Sequence, residues 1–129
     1  MVEPVADPRV LVVDDDPVIL RLLEVNFRLD GFEVVLASRG DEAIATADRD
    51  SPDALIVDVM MPGVDGYEVC ERLRADPRFV DLPIVMLTAR SQEDDRNRGA
   101  ALGVAGYMTK PFDPAELVAL VRSLLGASS

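Results

Sequence analysis

The chain has 129 residues, of which 49% are hydrophobic and 29% are charged, and its net charge at pH 7 is −11. This length is enough for one domain with its own hydrophobic core, and the negative charge argues against nucleic-acid binding, which depends on neutralising phosphates with lysine and arginine. A single cysteine rules out a disulfide framework within the chain, and no apolar stretch approaches membrane-spanning length. The N-terminus does not resemble a signal peptide, so we expect a cytoplasmic protein without membrane contact.

Five short apolar segments predict β-strands. Most of them are continuously apolar instead of alternating with polar residues, which is typical of strands that are covered on both faces. In chain order, the predicted strands are residues 9–13, 33–37, 54–57, 83–87 and 106–109.

The segments between these strands show apolar residues at helical spacing and predict five helices. The predicted helices are residues 17–30, 41–50, 66–75, 92–102 and a last one that begins at Pro114. The first helix has a broad apolar stripe, formed by Val18, Leu22, Val25 and Leu29 together with Ile19, Leu23 and Phe27. Residues 92–99 are almost entirely polar, so this segment is either a loosely held helix, which we favour, or a loop.

Strand and helix alternate five times along the chain. This order predicts one α/β domain with a parallel sheet and helices on both faces. We place the domain at residues 9–126, with residues 1–8 as an N-terminal extension and residues 127–129 as a C-terminal tail.

Polar residues follow four of the five predicted strands. They are Asp14, Asp15 and Asp16 after the first strand, then Asp58, Thr88 and Lys110. The carboxyl ends of parallel strands share one edge of the sheet, where α/β proteins bind ligands. Lys110 is the only lysine, beside twelve arginines. Its compact ammonium suits a crowded phosphate site better than a planar guanidinium does.

Carboxylates that lie close together repel one another, and a hard divalent cation relieves that repulsion. Mg²⁺ fits this edge because it is usually held by one or two carboxylates, several waters and a phosphate oxygen. Asp16 is excluded from the metal set, since it should cap the helix that Pro17 begins.

The chain has no histidine, no serine or cysteine nucleophile motif and no phosphate-binding P-loop. The remaining chemistry is phosphoryl transfer to a carboxylate. Asp58, on the central strand, is the predicted acceptor, and Thr88 and Lys110 should hold phosphoryl oxygens.

Four sequence segments resemble the receiver domain of two-component response regulators, in the family's order and over nearly the whole chain: VLVVDDDP, LIVDVMMPGVDGYEV, PIVMLTAR and GYMTKPF. The resemblance implies a flavodoxin-like, doubly wound α/β fold. Its five-stranded parallel sheet would have the order 2-1-3-4-5, with five helices, as in chemotaxis receivers.

The resemblance also implies roles for the acidic residues. It makes Asp58 the phosphoacceptor and, with Asp15, a direct Mg²⁺ ligand. The backbone carbonyl of Met60 would be a third ligand, and Asp14 would act mainly through metal-bound water.

Further positions match the family's phosphate-binding and switching residues. Thr88 and Lys110 match the phosphate-binding pair, and Lys110-Pro111 is similar to the family's cis peptide bond. Tyr107 matches the aromatic switch position, where a ring moves inward as Thr88 engages the phosphoryl group; alternatively, it is a plain half-buried strand aromatic. Ala89 matches the small residue that leaves the phosphoryl pocket open.

We therefore predict a phosphorylation-controlled signalling receiver, which is not itself an enzyme. A histidine kinase or a histidine phosphotransfer protein would supply the phosphoryl group, and an effector protein would bind the surface of helix 92–102, the fifth strand and the last helix. Ala105 and Gly106 stand where many relatives carry an acidic pair, so the partner of this surface stays open.

Three other functions are alternatives to a phosphorylation-controlled receiver. The chain could be a phosphorylation-independent interaction module with the same fold, or the receiver part of a longer transcription regulator. An aspartate-nucleophile phosphohydrolase is disfavoured, because position 60 is methionine where a second acid would be needed.

Overall fold

The sheet has the predicted architecture. The computed structural model describes residues 7–89 and 100–127, and in it five parallel strands form one sheet of order β2-β1-β3-β4-β5. The strands are β1 (Arg9–Val13), β2 (Glu33–Ala37), β3 (Ala54–Asp58), β4 (Ile84–Thr88) and β5 (Gly106–Thr109). This order and the parallel pairing of every neighbouring strand confirm the predicted fold.

Within residues 7–89 and 100–127, four complete α-helices and one short 3-10 helix connect or follow the strands. They are α1 (Pro17–Leu29), α2 (Gly40–Asp50), α3 (Gly66–Arg74), the 3-10 helix (Pro77–Phe79) and α4 (Pro114–Ala127). The helix predicted at residues 92–102 lies mostly outside the described residues. The last helix continues to Ala127, one residue into the predicted tail. Within the described ranges, no helix is long and apolar enough to cross a membrane.

Aspartate caps fix the points at which helices leave the carboxyl edge of the sheet. The Asp16 carboxylate accepts a hydrogen bond of 2.9 Å from the backbone N–H of Val18, and the Asp65 carboxylate accepts one of 2.9 Å from Glu68. Asp113 caps α4 in the same way. Each cap contributes about 1 kcal/mol to helix stability. The chain therefore turns from strand into helix at defined residues beside the acidic cluster.

The core has two layers, one on each face of the sheet. Side chains such as Leu11 and Val57 pack with α2 and α3, whereas their neighbours Val12 and Ile56 pack with α1 and α4. All residues of the adjacent strands β3 and β4 are buried. This double cover explains the continuously apolar strand sequences and holds the ends of the central strands rigidly.

The apolar stripe used to predict α1 faces the core through Leu23 and Phe27, but not through Val18, Leu22, Val25 and Leu29. The fully buried residues of this helix are Leu23 and Phe27. The exposed fractions of the other four are 71% for Val18, 38% for Leu22, 40% for Val25 and 83% for Leu29. Helix α1 therefore has apolar residues on two faces, and helical spacing alone does not reveal which of them turns inward.

Candidate functional site

Acidic residues from β1 and β3 meet at the carboxyl edge of the sheet. Asp14 and Asp15 follow β1 directly, and Asp58 is the last residue of the neighbouring strand β3. Oxygen atoms of these three carboxylates all lie within 4.8 Å of one another. The predicted acidic cluster is therefore formed, and it can hold a metal ion.

Lys110 bridges the two buried carboxylates of this cluster. Asp14 is fully buried and Asp58 is 5% exposed, whereas Asp15 is exposed. The Nζ atom of Lys110 lies 2.9 Å from Oδ2 of Asp14 and 3.5 Å from Oδ2 of Asp58. The other oxygen of Asp14 accepts a 2.9 Å hydrogen bond from the backbone N–H of Asp16. Asp14 thus orients the ammonium group beside Asp58.

The cluster carries more negative charge than one ammonium balances. Burial raises the pKa of Asp58 from 3.8 to about 6, and the charge of Asp14 adds to this rise; Lys110 and a hydrogen bond from the Met60 backbone only partly oppose it. Burial alone would lower the pKa of Lys110, but its bonds to Asp14 and Asp58 outweigh burial and raise that pKa. A cation bound at the cluster would relieve this repulsion, so the donor set fits a hard divalent ion.

The raised pKa of Asp58 predicts how stability depends on pH. The folded, metal-free protein holds the Asp58 proton more tightly than the unfolded chain does, so its free energy of unfolding should fall as pH rises from about 4 to about 7. The Asp58→Asn variant has no carboxyl group to ionise at position 58, so this fall in the free energy of unfolding is absent. The stability advantage of the variant over the wild type should therefore grow over this range, by at most about 3 kcal/mol.

Urea unfolding of both metal-free proteins at several pH values measures this difference. Groups that do not interact with position 58 titrate alike in the two proteins, so their effects cancel. A stability difference that stays constant with pH would show that the Asp58 carboxyl is not perturbed.

The other residues predicted for the site also lie at this edge. Thr88 is buried at the end of β4, and its backbone carbonyl accepts a 2.8 Å hydrogen bond from the N–H of Lys110. The peptide bond between Lys110 and Pro111 is cis. Asp16 caps α1, as predicted, and its carboxylate is thereby engaged outside the acidic cluster.

Met60 follows the central strand β3, two residues after Asp58, and Tyr107 lies on the edge strand β5. The Met60 side chain is exposed, so this residue approaches Asp58 through its backbone, which hydrogen-bonds the carboxylate. Tyr107 is half-buried on β5, opposite Met86 of β4, and packs against the core layer of α2 and α3.

Two glycines at the site were not predicted from the sequence to have a role. Gly66 begins α3 against the backbone of Asp58 and Val59, and Gly40 begins α2 against Val64. A signal was present: glycine is a poor helix former, yet it occupies the start of two helices, and one of them, α3, follows the strand that ends with Asp58.

Comparison with known proteins agrees with this geometry. The family model described as response regulator receiver domain matches residues 10–122. The chain is 45% identical over 118 residues to the DNA-binding dual master transcriptional regulator RpaA of Synechocystis sp., a match that covers 92% of this chain and 49% of RpaA. It is 47% identical to the phosphate regulon transcriptional regulatory protein PhoB of Rhizobium meliloti, over 92% of this chain and 52% of PhoB.

A solved structure resembles the whole described fold. The chemotaxis protein CheY4 of Vibrio cholerae superimposes with a TM-score of 0.89 at 33% identity, covering 92% of this chain and 99% of CheY4. The chain thus spans about half the length of the curated relatives it matches, but nearly all of a chemotaxis protein.

Proposed function

The chain belongs to the response regulator receiver family, and we propose that it is a phosphorylation-controlled switch whose phosphoacceptor is Asp58. A receiver domain is a phosphoacceptor signalling module and not an enzyme in the ordinary sense. The observation that carries the assignment of Asp58 is its burial beside Asp14 and the ammonium group of Lys110.

The proposed reaction transfers a phosphoryl group from a phosphohistidine of another protein. An oxygen of the Asp58 carboxylate attacks the phosphorus atom, and a P–O bond forms as the P–N bond breaks. The electron pair of the broken bond returns to the imidazole, which takes up a proton. Lys110 would stabilise the charge on one phosphoryl oxygen, and the Thr88 hydroxyl would donate a hydrogen bond to another.

Mg²⁺ is the proposed cofactor. Asp15, Asp58 and the backbone carbonyl of Met60 would be its direct ligands, and Asp14 would act through metal-bound water. When bound, Mg²⁺ supplies positive charge that offsets the developing charge on the phosphoryl oxygens. The three clustered carboxylates and the raised pKa of Asp58 support this assignment.

A histidine kinase or a histidine phosphotransfer protein is the proposed donor, because the chain has no histidine of its own. Phosphorylation would then bias the positions of Thr88 and Tyr107. The effector protein would bind the surface formed by residues 92–102, β5 and α4. Support comes from β5, an edge strand of only partly buried or exposed residues that carries Tyr107.

The receiver part of a longer transcription regulator is a second candidate. RpaA and PhoB are transcriptional regulators, and each is about twice as long as the matched region. In that case DNA would be contacted by residues outside this acidic chain, whose net charge is −11.

The proposal is tested by measuring the intact mass after incubation with acetyl phosphate, with and without Mg²⁺. We expect the wild type to gain one phosphoryl group in the presence of Mg²⁺ and none when the metal is removed with a chelator. A chain that binds Mg²⁺ but stays unmodified would contradict the proposal and favour a phosphorylation-independent interaction module.

A further inference from the structure

The loop between β3 and α3, residues 59–65, is held by two glycine backbones. At its C-terminal end, the N–H of Gly66 donates a 3.0 Å hydrogen bond to the carbonyl of Val59. A Cβ atom at Gly66 would lie 2.9 Å from Cα of Val59 and still closer to the carbonyl oxygen of Asp58. These are backbone atoms at the end of a buried strand, so they have no flexible side chain with which to give way.

Gly40 holds the same loop from the side of α2. A Cβ atom at this position would lie 2.8 Å from Cβ of Val64 and closer still to its carbonyl oxygen. Gly40 and Gly66 are both buried. The first turns of α2 and α3 therefore both contact this loop closely, and neither contact leaves room for a methyl group.

Space, and not backbone conformation, requires glycine at these positions. The described glycines with positive φ are Gly31, Gly63 and Gly103, so Gly40 and Gly66 do not need left-handed backbone. Alanine is a better helix former than glycine, so helix propensity does not explain glycine at either position. The close approach to the loop is thus the physical reason for glycine here.

We infer that Gly40 and Gly66 are positioning residues that set the Mg²⁺ affinity of the site by fixing the loop of residues 59–65, which follows Asp58. This inference rests on the proposed function, since it concerns the same metal site. The loop carries Met60, whose backbone hydrogen-bonds the Asp58 carboxylate. A methyl group at Gly66 would clash with the carbonyl oxygen of Asp58, so the contact between the start of α3 and the strand end that carries this carboxylate must shift.

Alanine substitutions test the inference through the Mg²⁺ dissociation constant, measured by isothermal titration calorimetry with MgCl₂. Gly66→Ala should weaken Mg²⁺ binding about 10- to 100-fold, the usual range for groups that orient metal ligands. Gly40→Ala should weaken it less, because its contact is at Val64, six residues after Asp58. Gly126→Ala is the matched control, because a Cβ at that position meets nothing within 4 Å, and its affinity should equal that of the wild type.

A second control separates positioning from general loss of stability. Val34→Ala removes packing from the core layer of α1 and α4, which contains none of the loop residues 59–65, so it should lower the free energy of unfolding and leave the Mg²⁺ affinity unchanged. Folding of every variant is followed by urea unfolding. A merely structural role for the glycines would make affinity follow stability across all four variants.

Each outcome is decisive. Failure of the wild type to bind Mg²⁺ would contradict the proposed function itself. A folded Gly66→Ala with wild-type affinity, or an equal loss of affinity in Val34→Ala, would overturn the inference alone. If Gly66→Ala does not fold, Gly40→Ala decides the question; if neither folds, the glycines support the whole sheet and the inference is wrong.

Discussion

Replacing Asp58 with asparagine should abolish phosphorylation by acetyl phosphate while the fold is retained. Asparagine has nearly the same shape, but its amide oxygen carries no negative charge and is a poor nucleophile. Removal of a covalent nucleophile typically costs at least about 10⁴-fold in rate, so no phosphorylated product should be detected by intact mass. The variant should also be more stable at pH 7, because burial disfavours the charge that the wild-type carboxylate carries.

Asp16→Asn is the matched control for this experiment. Asp16 is an acidic neighbour of the cluster, but its carboxylate caps α1, and asparagine is an equally good cap. This variant should be phosphorylated like the wild type. If Asp58→Asn instead gains a phosphoryl group, and peptide mapping places it on Asp14 or Asp15, the acceptor has been assigned to the wrong carboxylate.

The meeting of Asp14, Asp58 and Lys110 could be predicted because it follows from topology. Once alternating strands and helices imply a parallel sheet, residues that follow the strands must converge at its carboxyl edge. The burial of these side chains and the raised pKa of Asp58 could not be predicted from the sequence in this way. Burial and pKa both depend on how tightly the residues of the two core layers pack around the ends of the strands.

Helix α1 shows a different limit of sequence reasoning. Val18 and Leu29 fit a helical stripe as well as Leu23 and Phe27 do, yet only the second pair is buried. Periodicity identifies a helix but does not select between two apolar faces. Glycine at the start of α3 was visible in the sequence, but its steric role depends on a contact between backbones that only the folded chain brings together.

Replacing Lys110 with arginine should leave the protein folded but impair its phosphorylation. The Lys110 side chain is only 25% exposed, and its single nitrogen serves both Asp14 and Asp58. A guanidinium group is wider and planar and pairs best with one carboxylate in a fork, so it would occupy space that the phosphoryl group needs. Misplacing one such charge-stabilising donor costs about 100-fold, and we expect phosphorylation by acetyl phosphate to slow by a similar factor.

Arg21→Lys is the control for a change between the two cations, because Arg21 makes an exposed ion pair with Glu24. Such pairs contribute at most about 1 kcal/mol and have no fixed shape to preserve, so this variant should behave like the wild type. Time courses of the phosphorylated fraction give the rate of phosphorylation, and urea unfolding of each protein gives its stability. Together they distinguish a slower reaction from a loss of folded protein. Normal phosphorylation of a folded Lys110→Arg would mean that positive charge alone suffices at this position. In that case the presence of a single lysine among twelve arginines would have no chemical significance.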